Sequence, residues 1–134
     1  MTDSKTRFIR QELRLQAVDI RETSAFYRDV LGFRVDATWG PEAAPEGCTL
    51  DHGDIHLLFH RENESEPKMS GILVIEVDGV VELYARVKDK AEVIWGLEVY
   101  SYGMREFAIK DPNGYQVAFC ERTDDPPTCD VLKR

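Results

Sequence analysis

The chain has 134 residues, close to the commonest size of a single domain, and its 43% hydrophobic and 31% charged residues are ordinary for a globular protein. Its formal net charge is −8, from 25 acidic and 17 basic residues, and the Lys and Arg residues do not cluster, which argues against a nucleic-acid partner. No apolar run approaches the roughly 20 residues that cross a bilayer, and the first residues lack the apolar stretch of a signal peptide, so we expect no membrane partner and a cytoplasmic location.

The first third of the chain predicts a strand, a helix and a second strand. Residues 12–18 alternate polar and apolar side chains, which is typical of a half-buried strand. Thr23 and Ser24 are of the residue types that cap a helix start, and the apolar residues after them follow helical spacing. Gly32 suits the end of that helix, and residues 33–39 form the next predicted strand.

A hairpin and a linker follow. The segment 40–47 is rich in Pro and Gly and is predicted to be a loop. Residues 48–50 and 55–60 are predicted to pair around the turn His52-Gly53-Asp54. The polar run 61–68 is predicted to be a linker. The three cysteines include no CxxC pair, so the sequence indicates neither a disulfide framework nor a zinc knuckle.

The second half repeats this order of elements, although the residue identities of the two halves differ. Val18-Asp19 and Val77-Asp78 each close a strand before a helix. The further elements are predicted as strand 71–77, a helix from Val80 to Ala91, and strands 97–102, 105–110 and 115–121. The fold class is therefore α+β, with two βαβββ modules that form a curved mixed sheet with the helices on its outer face. The whole of 1–134 is one expected domain, with module one at about 8–62, module two at about 69–121 and a loose tail at 123–134.

Two segments resemble signatures of a known family. DIRETSAFYRDVLGF, at 19–33, resembles the first-helix signature of the vicinal oxygen chelate superfamily, and REFAIKDPNGYQVAF, at 105–119, resembles its closing signature. The DPNG part alone indicates only a type I turn. The superfamily includes glyoxalase I, ring-cleaving dioxygenases and bleomycin-binding resistance proteins, so the fold does not fix the function.

The resemblance implies four metal-ligand positions, one on the first and one on the last strand of each module. In this chain those positions hold Glu12, His56, Ile72 and Ala118. Two hydrocarbon side chains make a poor site, because catalytic zinc generally keeps three protein ligands. We therefore expect no metal or other cofactor, with Glu12 and His56 as the weak candidates for metal ligands.

Three histidines, His52, His56 and His60, are spaced four residues apart. On a helix this spacing would place them on one stripe, but the segment is predicted to be a hairpin. Four residues of strand span roughly 13 Å, too far for two imidazoles to share one ion. We interpret them as a turn histidine and parts of a polar wall.

Strand alternation predicts which residues face the helices and which face the other side of the sheets, here called the concave face. The helix-facing core is predicted to contain Leu13, Leu15, Ile55, Leu57, Phe59, Leu73, Ile75, Val77, Val117 and Phe119. The concave face is predicted to carry Glu12, Arg14, Gln16, His56, Leu58, His60, Val74, Glu76 and Ala118. Buried charges there need partners, and Glu12 with His56 or Arg14 with Glu76 are the predicted pairs.

Aromatic residues are predicted near the rim of this face. Trp39 and Tyr102 are the candidates for ligand stacking, whereas Trp95 and Tyr100 are expected to serve in packing. The stretch SYGMREF resembles the W-G-x-R-E-F stretch of bleomycin-resistance-type members, with Tyr102 where Trp is usual. Arg105 lies in the same stretch and completes the set of candidate ligand-binding residues.

These observations leave three functional hypotheses. The first is a metal-independent binding protein, a homodimer by resemblance, that sequesters a planar or cationic small molecule on the concave face. The second is an enzyme: a metal-dependent glyoxalase-, isomerase- or dioxygenase-like protein with altered ligands, or a metal-free catalyst with Glu12 or His56 as base. The third is an interaction module with a collapsed cavity.

Overall fold

The computed structural model describes residues 5–62 and 70–129 of the chain. Most of the predicted linker 61–68 and the last five residues of the tail lie outside the described residues. The elements in chain order are β1 (Leu13–Ala17), α1 (Ile20–Asp29), β2 (Arg34–Trp39), β3 (Gly47–His52), β4 (Ile55–Arg61), β5 (Ile72–Glu76), α2 (Val80–Val87), β6 (Glu92–Tyr100), β7 (Met104–Lys110) and β8 (Gln116–Arg122). In the described part, no helix is long and apolar enough to span a membrane.

The chain folds into two βαβββ modules, as the sequence predicts. The strands form two four-stranded mixed sheets, in the orders β1-β4-β3-β2 and β5-β8-β7-β6. The first strand of each module lies parallel to the last strand of the same module, and the other pairs are antiparallel. The α+β class and the internal repeat are therefore confirmed.

Helix α1 begins earlier than predicted, whereas α2 begins at Val80 as predicted. Asp19, and not Thr23 or Ser24, caps α1: its carboxylate accepts a hydrogen bond from the backbone N–H of Glu22 at 2.9 Å. Thr23 is buried one turn later and donates its hydroxyl to the carbonyl of Asp19.

Helix α2 starts after Gly79, whose φ of +83° favours glycine. Its N-terminus is capped from β8, because Glu121 accepts hydrogen bonds from the backbone N–H groups of Gly79 and Val80 at 3.1 Å each. These two hydrogen bonds hold the pKa of Glu121 below its usual value, and the bond from Val80 has the larger effect.

The core lies between the helices and the helix-facing sides of the sheets. All of the predicted core residues are buried or pack against the buried cluster, which confirms the alternation. The predicted strand 97–102 begins too late, because β6 begins at Glu92. The predicted helix before it is too long, because α2 ends at Val87 and not at Ala91. Register shifts between Val93 and Glu98 interrupt the alternation that would have revealed the strand's first half.

The DPNG turn of module two is bonded to module one. The Asn113 side chain accepts a hydrogen bond from the Val18 backbone N–H at 2.9 Å and donates to the Thr23 hydroxyl at 3.0 Å. The Tyr115 hydroxyl donates to the carbonyl of Gln16 at 2.9 Å. The turn therefore satisfies backbone groups where β1 passes into α1, and we call this set of contacts the intermodule clamp.

Asp111 is the buried carboxylate of the clamp. Its oxygens accept hydrogen bonds from the Tyr27 hydroxyl at 2.8 Å and from the backbone N–H groups of Asn113 and Tyr115 at 2.8 and 2.9 Å. Burial raises the pKa of Asp111 despite these bonds, and burial likewise raises the pKa of Tyr27 well above its usual value.

The described part of the tail lies along module two. The Thr128 hydroxyl accepts a hydrogen bond from the Val99 backbone N–H at 2.7 Å and donates to Glu98 at 2.6 Å. Asp125 forms an ion pair with Arg105. Residues 123–129 are thus anchored at the end of β6.

Asp111 gives a test of the clamp by pH. Its folded-state pKa is raised above 3.8, so the folded chain retains a proton that the unfolded chain releases. The stability that this group contributes is complete below about pH 4 and is lost as pH rises through the raised pKa. We expect the free energy of unfolding of the wild type, relative to Asp111→Asn, to fall with pH above about 4.

Urea unfolding at a series of pH values measures this difference. Asp29→Asn is the matched control: Asp29 is exposed, and its pKa is lowered by its hydrogen bond with Arg28, so its contribution has the opposite sign. If the free energy of unfolding of the wild type, relative to Asp111→Asn, stays constant or increases with pH, the raised pKa of Asp111 is wrong.

Candidate functional site

The concave face of sheet one presents its side chains in cross-strand rows. The row nearest the end of β1 contains Gln16, His60, Gly47 and Trp39, which are successive partners across the four strands. The next row contains Arg14, Leu58 and Thr49. The structure therefore brings together most of the module-one residues predicted for the concave face.

Trp39 lies across its own sheet. A Cβ at Gly47 would stand 2.1 Å from Cζ2 of the Trp39 indole, so the ring occupies the space above the glycine. The indole is 40% exposed, which leaves part of the ring available to a ligand. Its position on β2 requires the register shift between Val35 and Ala37, because this bulge changes which residues point to the concave face.

His56 is held by a residue that the sequence analysis missed. Its Nδ1 lies 2.7 Å from a carboxylate oxygen of Asp51, the residue opposite it on β3, and Arg34 donates to the other oxygen of Asp51 at 2.8 Å. The hydrogen bond with His56 holds the pKa of Asp51 below its usual value. Asp51 therefore orients the imidazole of His56.

Both predicted charge pairs are wrong. Glu12 pairs with Arg14 and Arg10, at 3.1 and 3.4 Å, instead of with His56. Glu76 pairs with Arg122 at 3.4 Å instead of with Arg14. The partners of Glu12 are near it in sequence, and the partner of Glu76 is on the adjacent strand of the same module. Arg14 lies on sheet one and Glu76 on sheet two, and the fold does not bring these two side chains together.

Sheet two has a more apolar concave face. Val74, Ala118, Ala108 and Trp95 form one cross-strand row, and Val74 is 57% exposed. Tyr102 follows β6 and is 46% exposed. Its ring stacks on Tyr100 at a centroid distance of 5.4 Å, and its hydroxyl donates to Glu106 at 3.0 Å.

Arg105 does not belong to this face. It lies two residues from Phe107 along β7, without a register shift between them, and so it shares the helix-facing side with Phe107 and its partner Phe119. Its ion pair with Asp125 and its proximity to Glu121 agree with this placement. The inclusion of Arg105 among the ligand-binding residues is therefore corrected.

The residues at the family's metal positions do not fit a metal. Ile72 and Ala118 offer no ligand atom, and the carboxylate of Glu12 and Nδ1 of His56 already bind protein groups. Within residues 5–62 and 70–129, no group of three or more His, Cys, Asp or Glu side chains is arranged to hold an ion. The concave face therefore presents hydrogen-bonding groups, aromatic rings and apolar surface instead of a coordination site.

The model of the Glyoxalase/Bleomycin resistance protein/Dioxygenase superfamily matches residues 10–119. The chain belongs to this superfamily. The match confirms the resemblance of the two signatures and covers both modules. Among curated protein sequences, none matches this superfamily member.

Solved structures share the fold of this superfamily member at low sequence identity. TioX from Micromonospora sp. ML1 has a TM-score of 0.78 at 18% identity, over 86% of this chain and 99% of that one. TnmS3, an antibiotic binding protein from Streptomyces sp. CB03234, has a TM-score of 0.73 at 18% identity, over 90% and 100%. Lactoylglutathione lyase from Agrobacterium tumefaciens has a TM-score of 0.68 at 22% identity, over 88% and 96%. The same fold thus carries both a binding protein and an enzyme.

The position of Trp39 has a direct test. Gly47→Ala introduces a Cβ in the space that the indole occupies, so we expect the ring to be displaced into solvent. In a Trp95→Phe background, tryptophan emission should shift to longer wavelength and become more sensitive to acrylamide quenching. Thr49→Ala, on the same strand and face, should leave the emission unchanged. An unchanged emission in Gly47→Ala would show that the indole lies elsewhere.

Proposed function

We propose that the protein is a metal-independent small-molecule-binding protein that sequesters a planar or cationic ligand on its concave face. The observation that carries this proposal is the replacement of metal ligands by Ile72 and Ala118, together with an exposed aromatic side chain at the edge of each sheet, Trp39 on β2 and Tyr102 after β6. Such a face suits stacking and apolar contact rather than Lewis-acid chemistry.

The chemistry of the face favours a flat ligand with positive charge. The exposed indole of Trp39 and phenol ring of Tyr102 stack on planar molecules and attract cations by their π faces. Asp51 and Glu106 place carboxylates beside His56 and Tyr102, and the net charge of −8 attracts cations at long range. The candidate ligand-binding set is the predicted one with Arg105 removed and Asp51 and Glu106 added.

A second copy of the chain is the proposed partner that encloses the site. The concave faces expose large apolar side chains, with Ile72 at 47% and Val74 at 57%, and exposed patches of this kind mark interaction surfaces. We propose a homodimer in which these faces are covered in part by the partner and in part by the ligand. The antibiotic-binding function of TnmS3, on the same fold, supports a ligand of drug size. The three free thiols agree with a cytoplasmic location, which we also propose.

Calorimetric titration of the metal-stripped protein tests binding, with bleomycin and ethidium as the first probes. We expect binding of at least one cationic aromatic probe without added metal. Trp39→Ala and Tyr102→Ala should each weaken it by about five- to tenfold, since a stacked aromatic contributes about 1 kcal/mol. Tyr102→Phe, which keeps the ring, should lose less. If both alanine variants bind the probe as tightly as the wild type does, the site does not lie at these aromatic side chains.

Titration with Zn²⁺, Ni²⁺, Mn²⁺ and anaerobic Fe²⁺ tests metal independence separately. We expect no tight binding, because only half of the family's ligand positions carry donor atoms. Tight binding that disappears in Glu12→Gln or His56→Ala would instead make the protein a metal-dependent enzyme with an altered ligand set.

One observation favours a second candidate function, metal-free acid–base catalysis. The contact of 2.7 Å between Asp51 and His56 resembles a general base held by an orienting carboxylate. Conversion of the hemithioacetal of methylglyoxal and glutathione into S-lactoylglutathione by the metal-stripped protein would support this candidate if His56→Ala abolished it and Asp51→Asn reduced it by about tenfold or more. Activity that persists in His56→Ala would remove the imidazole from the mechanism.

A further inference from the structure

A cavity of about 610 Å³ lies at the junction of the two modules, and Glu76 is the one lining residue that was also predicted for the concave face. Its walls come from the connection between α1 and β2, from the β3–β4 hairpin, from the passage of β5 into α2 with the first turns of that helix, and from Phe119 on β8. The volume lies within the range of about 300–1,000 Å³ that small-molecule sites occupy.

The cavity follows from a difference between the two modules. In module two the turn between β7 and β8 consists of residues 111–115, and it fills the junction beside α1 with the intermodule clamp. The corresponding turn of module one contains only Gly53 and Asp54, so it is too short to fill the junction beside α2. The internal repeat thus contains two unequal junctions: a cavity of about 250 Å³ remains beside Tyr27 and Tyr115 on the clamp side, and the larger cavity beside α2 is here called the open junction.

The floor of the open junction is apolar. Leu31, Phe33, Ile75, Leu83 and Phe119 line it, and each is less than a tenth exposed. The ring of His52 stands at the edge of Phe33, at a centroid distance of 5.3 Å and an interplanar angle of 80°. This histidine, the turn member of the three evenly spaced histidines, therefore forms an aromatic wall above the apolar floor.

The rim of the open junction is predominantly acidic. Asp54, Glu76, Asp78 and Glu82 line it, and Arg86 is the one Lys or Arg among the lining residues; Glu76 is paired with Arg122. A carboxylate oxygen of Glu82 is folded back over the start of α2, 2.8 Å from where a Cβ of Gly79 would lie. A positive charge at the rim would therefore meet carboxylates from both modules while the rest of the ligand stays on the apolar floor.

We propose that the open junction is a second binding site, for a small organic ammonium ion with an apolar or aromatic body. It is distinct from the concave-face site and does not depend on the function proposed there. The apolar floor and the His52–Phe33 wall hold the body of the ligand, and the carboxylates at the rim bind its charged end. An anion of the same shape is disfavoured by these carboxylates.

Amide chemical-shift titration of the intact protein tests this site with 2-phenylethylammonium, and with 3-phenylpropanoate as the probe of opposite charge. We expect the ammonium ion to shift the amides of residues 52–55 and 78–86, and the carboxylate probe to bind at least about fivefold more weakly. Asp78→Asn and Glu82→Gln should each weaken binding by about two- to fivefold, less so at high salt. The control Glu92→Gln removes a carboxylate that pairs with Lys110 on β7, outside the cavity lining, and should change nothing.

Arg86→Gln gives the sharpest test, because a folding defect cannot produce its expected result. Removal of the one basic rim side chain should strengthen ammonium binding by about twofold or more, while Leu83→Trp should fill the floor and abolish it. Shifts confined to the concave faces, equal binding of the two probes, or no gain in Arg86→Gln would overturn the proposal. Binding of bleomycin at the concave face should be unchanged in Arg86→Gln, so either proposal can fail without the other.

Discussion

The intermodule clamp is the constraint on which the rest of this fold depends. Each module presents one buried face to its own helix, and neither module alone covers the backbone groups where β1 becomes α1. Asn113 and Tyr115 supply those missing partners from the other module, and Asp111 holds Tyr27 beneath them. Because buried polar groups are costly without partners, the hydrogen bonds fix the orientation of one module against the other more strictly than apolar contact would.

The clamp explains how the family's metal positions can change without loss of the fold. Those positions lie on the concave faces, whereas the clamp and the core lie on the helix side of the sheets. Ile72, which is 47% exposed, and Ala118, which is buried on the concave side of β8, stand where the resemblance implies ligand atoms, and neither takes part in the clamp. The concave surface is therefore free to vary in chemistry, and in this chain it carries aromatic rings and the Asp51–His56 pair. We propose that these side chains, and not the fold, determine which ligand the protein binds.

The sequence predicted the order of the elements and the face of nearly every core residue, because alternation and helical spacing are local properties. It failed where the answer depends on distant partners. Asp19, Thr23 and Ser24 are all suitable caps, and tertiary burial of Thr23 decided among them. The Asp51–His56 pair requires the β3–β4 register, which is not visible in either strand alone. Arg105 was predicted for the concave face from the family resemblance of its stretch. It lies two residues from Phe107 on β7, and this local alternation places it on the helix-facing side instead.

The clamp also has a consequence for the order in which the chain folds. Val18 and Asn113 are 95 residues apart, and Gln16 and Tyr115 are 99 apart, so these bonds close about three quarters of the 134-residue chain into a loop. Contacts of such high sequence separation form late, because the entropy of loop closure must be overcome first. During synthesis, module one therefore leaves the ribosome before Val18 and Gln16 can meet their partners in the turn between β7 and β8. The two halves look independent in the repeat, but the polar groups at the end of β1 are satisfied only after that turn of module two has been made.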